Sequence, residues 1–146
     1  MKKIILCPKN SGNTYEVCRY VSEKSGSELK VIDEGTDIQR EEYDVIILAS
    51  GIYGGHIHKN ISGWIKNLKE THSVKMPKVF LFVTWIGRGK SDKSAFEETK
   101  VLLKDKEINL QENYIECFGK SFGIIKRKHP DENDKKKILD WMQQLN

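Results

Sequence analysis

Apolar runs and helix-like stripes alternate along the whole chain. Five short segments have the length and apolar content of strands, and residues 45–49 and 79–83 are apolar at every position. Unbroken apolar runs of this length are typical of strands buried on both faces of a parallel sheet. The predicted strands are Lys3–Leu6, Glu28–Ile32, Asp44–Ala49, Lys78–Trp85 and roughly Asn113–Phe118.

Between these strands, apolar residues recur at the i, i+3, i+4, i+7 spacing of one helix face. Three such stripes begin at Thr14, Ile61 and Ile138, and a rougher one lies between Asp92 and Lys104. Strands that alternate with helices predict a parallel sheet covered by helices. We therefore expect one α/β domain over residues 1–146, a doubly wound sheet of five parallel strands in the order 2-1-3-4-5.

One connection is unusually short, because only ten residues, 33–42, separate the second and third predicted strands. A chain that returns along a strand must cover about 17 Å and also step sideways by about two strand spacings of ~4.8 Å. Ten helical residues span only about 15 Å, whereas ten extended residues reach about 33 Å. We therefore expect an abbreviated second crossover that is mostly extended, with at most one helical turn.

Composition narrows the class further. No apolar run approaches the roughly 18 residues that span a membrane. The basic start at Met1–Lys3 is followed by an apolar stretch too short for a signal peptide. The three cysteines form no Cys-x-x-Cys motif, and their odd number favours reduced thiols over a disulfide framework. These features predict a cytoplasmic protein without a membrane span, either a monomer or a weak dimer.

The net charge of +4 arises from 25 basic and 21 acidic residues. Basic runs occur at 126–128 and 135–137, but no aromatic residues interleave with them to stack on bases. We interpret these runs as solvated surface and expect no nucleic-acid partner.

Three loops that follow predicted strands have the composition of ligand-binding loops. They comprise residues 8–13, 50–56 and 86–91. Ligands of doubly wound sheets bind outside the carboxyl ends of the strands. Because the parent strands 1, 3 and 4 are neighbours in the predicted order, these loops should converge on one site.

The first loop is suited to an anion. Pro8 lacks an N–H and ends the strand, and Gly12 lets a bulky group approach the backbone closely. Asn13 and Thr14 then stand where the unpaired N–H groups of a helix begin. The loop lacks the Gly-Lys-Ser/Thr ending of a Walker loop, so we expect a phosphorylated ligand other than a magnesium-bound triphosphate.

The other two loops are suited to a flat ring. The second has three glycines around Tyr53, and the third follows Trp85. These two aromatic side chains can flank an aromatic ligand, and each such contact contributes about 0.5–1.5 kcal/mol beyond area burial. Glycines beside the ring would let backbone N–H and C=O groups meet its polar edge.

With these motifs, the sequence resembles the flavodoxin family over nearly its whole length. The family's phosphate loop reads Thr/Ser-x-Thr/Ser-Gly-x-Thr, and the chain has Lys9-Asn10-Ser11-Gly12-Asn13-Thr14 at the corresponding position, with Lys9 instead of a hydroxyl. The resemblance implies non-covalent FMN and an electron shuttle between a reductase and an acceptor enzyme. The residues it assigns to the cofactor are Lys9, Asn10, Ser11, Gly12, Asn13, Thr14, Ser50, Gly51, Ile52, Tyr53, Gly54, Gly55, Thr84, Trp85, Ile86, Gly87, Arg88 and Gly89.

The resemblance also implies a peptide beside the flavin that reorients on reduction, and Gly54 or Gly55 is the position where glycine permits this. Typical flavodoxins are strongly acidic, whereas this chain is basic. We expect His56, Arg88 and Lys90 to stabilise the anionic reduced flavin, which would give a less reducing potential than acidic flavodoxins have.

Several alternatives stay open. The chain is also similar to menaquinone-dependent protoporphyrinogen oxidases, which implies an FMN-dependent oxidoreductase, and a regulatory FMN module without turnover is a third possibility. We assign no catalytic residue and favour the carrier. A tyrosine phosphatase built on Cys7 would need an arginine where Asn13 stands. The pair His56-x-His58 supplies only two ligands, so we expect no metal site.

Overall fold

The computed structural model describes residues 1–71, 73–85, 90–118 and 131–145, without the side chains of Trp85 and Phe118. Four helices and six strands lie within these ranges. In chain order they are β1 (Lys3–Cys7), α1 (Asn13–Ser25), β2 (Glu28–Val31), β3 (Val45–Tyr53), β4 (His56–Ile57), α2 (Lys59–Lys66), β5 (Lys78–Trp85), α3 (Ser91–Lys104), β6 (Ile115–Phe118) and α4 (Glu132–Gln143).

Five strands form a parallel sheet in the order β2-β1-β3-β5-β6, and β4 pairs only with the end of β3. This order confirms the predicted 2-1-3-4-5 arrangement, with the short β4 as an addition. The carboxyl ends of β1, β3 and β5 lie side by side, so the three loops that follow them leave the same edge of the sheet.

The central strand β3 is buried from residue 45 to residue 51. Its side chains alternate between two hydrophobic clusters, one on each face of the sheet. Leu48 packs in the cluster that includes Trp64 of α2, whereas Ile47 packs in the cluster that includes Val17 of α1 and Trp141 of α4. Full burial of an Ile or Leu side chain contributes about 1.5–3 kcal/mol. The sheet edge that carries the loops therefore rests on a rigid core.

The second crossover is short and mostly extended, as the chain length requires. Its only helical part in the described structure is one 3-10 turn, Arg40–Glu42. The Arg40 guanidinium is buried and donates a hydrogen bond of 2.6 Å to the carbonyl oxygen of Lys69, just beyond α2. This bond attaches the crossover to the segment that follows α2.

The prediction that residues 50–56 form a loop is wrong, because most of this segment is a β-hairpin. Strand β3 continues to Tyr53, where Ile52 pairs with Ile57 and Tyr53 pairs with His56. Gly54 and Gly55 make the two-residue turn, with φ angles of 59° and 83°. Turns of this kind need positive φ at both central positions, which glycine adopts without strain.

No helix in the described part of the chain is long and apolar enough to cross a membrane. All three cysteines are buried and none forms a disulfide.

Candidate functional site

The first predicted loop joins β1 to α1 through a glycine in an unusual conformation. Gly12 precedes the helix with φ 92° and ψ −173°, and its carbonyl oxygen accepts the N–H of Glu16 at 3.0 Å. No side chain of the described residues caps this helix end. The N–H groups of the first turn therefore remain available to an anion that binds at the amino end of α1, beside Asn13 and Thr14.

Lys9 brings a positive charge to this helix end. Its side chain lies across Gly12, because a methyl group added to Gly12 would be 3.4 Å from Lys9 Cε and 3.7 Å from Lys9 Nζ. The charge of Lys9 also acts on His58, at the end of the hairpin. The pKa of His58 lies below its ordinary value, mainly because of burial and then because of the charges of Lys9 and Lys59. The start of α1 thus combines backbone dipoles with a nearby ammonium group.

A pair of buried hydroxyl groups joins α1 to the carboxyl end of β5. The Oγ1 atoms of Thr14 and Thr84 are 2.8 Å apart, and both side chains are buried. Thr84 is in turn the register partner of Gly51 in β3. The structure therefore brings together Thr14, Gly51 and Thr84, which were predicted from three separate loops.

Two residues that sequence reasoning did not assign to the site connect its parts: Asn60 joins the first loop to α2, and His58 joins the two ends of the hairpin. The Asn60 side-chain amide donates to the carbonyl oxygen of Pro8 at 2.8 Å. The backbone N–H of His58 donates to Ser50 Oγ at 2.8 Å, and the Ser50 hydroxyl donates to the carbonyl oxygen of Gly51 at 2.6 Å. The sequence drew attention to His58 only as half of the pair His56-x-His58, and Asn60 belongs to no recognisable motif, so only the folded chain reveals these roles.

The hairpin presents different residues on its two faces. Tyr53 is 48% exposed, and its ring lies against Gly51, where an added methyl group would be 3.1 Å from the tyrosine oxygen. The edge of the Tyr53 ring also meets the His58 ring, with centroids 5.4 Å apart. The Ile52 side chain instead packs against the hydrophobic core with Ile57. Tyr53 thus offers an aromatic surface at the site, whereas Ile52 can offer only its backbone.

The hairpin also carries a histidine–carboxylate pair. His56 Nδ1 is hydrogen-bonded to Glu98 Oε2 of α3, and Glu98 Oε1 accepts the backbone N–H of Ile57 at 3.1 Å. The sequence predicts that a positive charge on His56 stabilises a reduced flavin. In the structure, the Glu98 carboxylate balances that charge whenever His56 is protonated.

Most of the third predicted loop lies outside the described residues. This applies to Ile86, Gly87, Arg88 and Gly89 and to the side chain of Trp85. Lys90 is exposed and directly precedes α3. The predicted roles of these residues stay predictions, as does cofactor contact by the other residues assigned from the resemblance.

A cluster of ionisable groups lies where α3 begins. The carboxylate of Asp92 is buried and accepts a hydrogen bond from the Tyr114 hydroxyl at 3.1 Å. Burial, together with a hydrogen bond to Asp92 and its charge, raises the pKa of Glu116 to about 7. Although burial opposes it, hydrogen bonds from Glu116 and Tyr114 keep the pKa of Asp92 below its ordinary value. The two carboxyl groups therefore share one proton at mildly acid pH and lose it as pH rises through about 7.

This pair predicts a pH-dependent stability. Because folding raises the pKa of Glu116 from 4.5 to about 7, its contribution is present at low pH and is lost as pH rises through this window. Solvent screening reduces the effect of this partly exposed group to about 1–2 kcal/mol. Urea unfolding at about pH 5 and pH 8 measures the loss, which should be absent in Glu116→Gln. An equal loss in both proteins would contradict the assignment.

The described residues offer no support for the other chemistries considered. No three His, Cys, Asp or Glu side chains within them are grouped as a metal ion would require. The Cys7 thiol is fully buried and is hydrogen-bonded to the carbonyl oxygen of Lys9 at 3.2 Å. A thiol in this position is not accessible to a phosphorylated substrate.

A parallel sheet with an uncapped helix start after β1 and a glycine hairpin at the end of β3 defines a flavodoxin-like α/β protein. The chain belongs to the flavodoxin domain family, whose model matches residues 4–142. An uncharacterized protein of Methanocaldococcus jannaschii is 27% identical over 153 aligned residues, which cover 99% of this chain and 98% of that protein.

Two solved structures share the fold. A flavoprotein from Lactobacillus acidophilus in complex with FMN is 18% identical, with a TM-score of 0.63, over 79% of this chain and 92% of that one. Oxidised flavodoxin 1 from Bacillus cereus is 17% identical, with a TM-score of 0.64, over the full length of both chains. At these identities, the likeness concerns the fold.

Proposed function

We propose that the protein binds FMN without a covalent bond and carries electrons between a reductase and an acceptor enzyme. The observation that carries this proposal is the uncapped start of α1, with Gly12 beneath the ammonium group of Lys9. Backbone N–H groups and a nearby cation together are suited to a phosphate dianion. A related flavoprotein has been crystallised in complex with FMN, which supports this choice of ligand.

The remaining residues of the site fit the rest of such a ligand. Because Gly51 has no side chain, the Tyr53 ring lies directly against the sheet edge, and this ring is half-exposed. Aromatic side chains in this position stack against a flat ligand and exclude water from one of its faces. FMN, when bound, supplies one- and two-electron redox chemistry, and the chain supplies binding, orientation and electrostatics.

The charge around the site indicates the kind of partner. Within the described part of the chain, the exposed Lys9, Lys59 and Lys90 form no ion pair. A positive rim of this kind attracts a partner that carries an acidic surface, and salt weakens this attraction. The proposed reductase or acceptor should therefore dock through acidic residues.

Electron transfer tests the proposal. The FMN-loaded protein, reduced with dithionite and freed of excess reagent, should reduce cytochrome c in proportion to its bound FMN. A matched sample of free reduced FMN provides the control for cofactor that has dissociated. Reduced protein that keeps its electrons in the presence of cytochrome c would contradict a carrier function.

One observation favours a second candidate function, an FMN-dependent oxidoreductase that acts on a small molecule. A histidine held by a carboxylate lies on the hairpin beside the proposed cofactor site. A carrier that passes only electrons does not need such a pair, whereas an enzyme that also transfers protons does.

A further inference from the structure

The hairpin next to the proposed cofactor site holds His56 in a defined protonation pattern. An ionised Glu98 can only accept hydrogen bonds, and it accepts one from Ile57 N–H and one from His56 Nδ1. The proton of a neutral His56 therefore resides on Nδ1, and Nε2 is left to exchange protons with another molecule. The backbone bond to Ile57 fixes Glu98, so the pair is anchored to the hairpin itself.

The position of His56 directs this nitrogen to the mouth of the site. His56 and Tyr53 are directly opposed in the hairpin, and opposed residues of an antiparallel pair project from the same face. The His56 side chain is 71% exposed. It therefore reaches solvent on the face that carries Tyr53, next to the turn formed by Gly54 and Gly55.

The second histidine near the hairpin, His58, has a different role. His58 Nδ1 accepts the backbone N–H of Asn60 at 3.0 Å and caps α2. Burial and the charges of Lys9 and Lys59 lower the pKa of His58, which favours its neutral form. Of the two histidines at the hairpin, only His56 has the arrangement of a proton donor.

We propose that His56 donates a proton from Nε2 to an electron acceptor that is reduced at the hairpin edge of the site, and that Glu98 is its positioning residue. This inference rests on the FMN site proposed above. The acceptor class comprises small molecules that bind protons together with electrons, as carbonyl compounds do when they become alcohols.

Reduction of benzoquinone, used as a probe, takes two electrons and two protons. FMN held at the site and reduced beforehand with dithionite would supply both electrons and one of the two protons. The second proton comes from Nε2 of the His56 imidazolium and completes hydroquinone. His56 is left neutral with its remaining proton on Nδ1 facing Glu98, and solvent then restores the lost proton.

The protonation pattern can be measured without cofactor. In ¹⁵N spectra of the apoprotein above the pH of histidine titration, His56 should show a protonated Nδ1 and a bare Nε2. Glu98→Gln should remove this preference, whereas Glu97→Gln, an exposed neighbour on the same helix, should preserve it. A wild-type His56 that carries its proton on Nε2 would overturn the proposal before any kinetic experiment.

Two acceptors separate proton transfer from electron transfer in the FMN-loaded protein. Benzoquinone takes up protons on reduction, whereas ferricyanide takes up only electrons. For His56→Gln and Glu98→Gln, the ratio of the benzoquinone rate to the ferricyanide rate should fall roughly 100-fold, the lower end of the range of general acid catalysis. Glu97→Gln should keep the wild-type ratio.

An unchanged ratio in His56→Gln, with normal FMN binding, would overturn the role of His56 and leave the proposed function intact. Failure of the wild-type protein to quench FMN fluorescence would instead remove the FMN site, and the proposal with it. Each outcome therefore identifies which of the two statements has failed.

Discussion

Gly12→Val should lower the affinity for FMN roughly 100-fold, since a strain of about 1–3 kcal/mol must be relieved by moving the loop. At φ 92° and ψ −173°, Gly12 occupies a region that is open almost only to glycine, and a β-branched residue is among the least tolerated there. Relief of that strain would turn the N–H groups at the start of α1 away from the phosphate. Isothermal titration of apoprotein with FMN measures the loss.

Gly26→Ala is the matched control. Gly26 ends α1 in the left-handed conformation, and nothing lies within 4 Å of an added methyl group. The substitution should therefore cost about 1 kcal/mol of stability, as left-handed alanine usually does, and leave FMN affinity unchanged. Equal affinity losses in both variants would show that stability, and not the geometry of the phosphate loop, controls binding.

Lys9→Glu should weaken FMN binding roughly 10- to 100-fold and leave riboflavin binding nearly unchanged. A partly exposed charge contributes on the order of 1 kcal/mol to a nearby anion, and charge reversal changes this contribution by about twice that amount. Riboflavin lacks the phosphate, so comparison of the two ligands isolates the charge effect.

Lys104→Glu makes the same change in net charge at the carboxyl end of α3, whereas the amino end of this helix follows the third loop of the site. The substitution should leave both affinities unchanged. Higher salt should reduce the difference between wild type and Lys9→Glu, because ions screen an exposed pair. A similar loss of riboflavin and FMN affinity in Lys9→Glu would refute a contact between Lys9 and the phosphate.

The sheet could be predicted because its signals are local. The bounds predicted for β5, Lys78–Trp85, agree with the structure, since a long apolar run there leaves few alternatives. The end of α1 was also predictable, because Gly26 is a typical C-terminal cap. The extended second crossover followed from chain length alone.

The hairpin could not be predicted because its strands depend on distant partners. Three glycines within residues 50–55 indicate a loop, and residues 50–53 become a strand only through pairing with β5 and with β4. The contacts of the site could not be predicted either, because they also join residues that are far apart in sequence. Asn60 reaches Pro8 across 52 positions of sequence, and Glu98 meets His56 across 42. Side chains of this kind carry no local pattern that marks their partners.

Titration of the apoprotein with FMN, followed by flavin fluorescence, tests the central claim most directly. Fluorescence should be quenched to a plateau at one FMN per chain, and riboflavin should bind at least about tenfold more weakly because it lacks the phosphate. Absence of quenching by FMN, or equal affinity for FMN and riboflavin, would contradict the anion site at the start of α1.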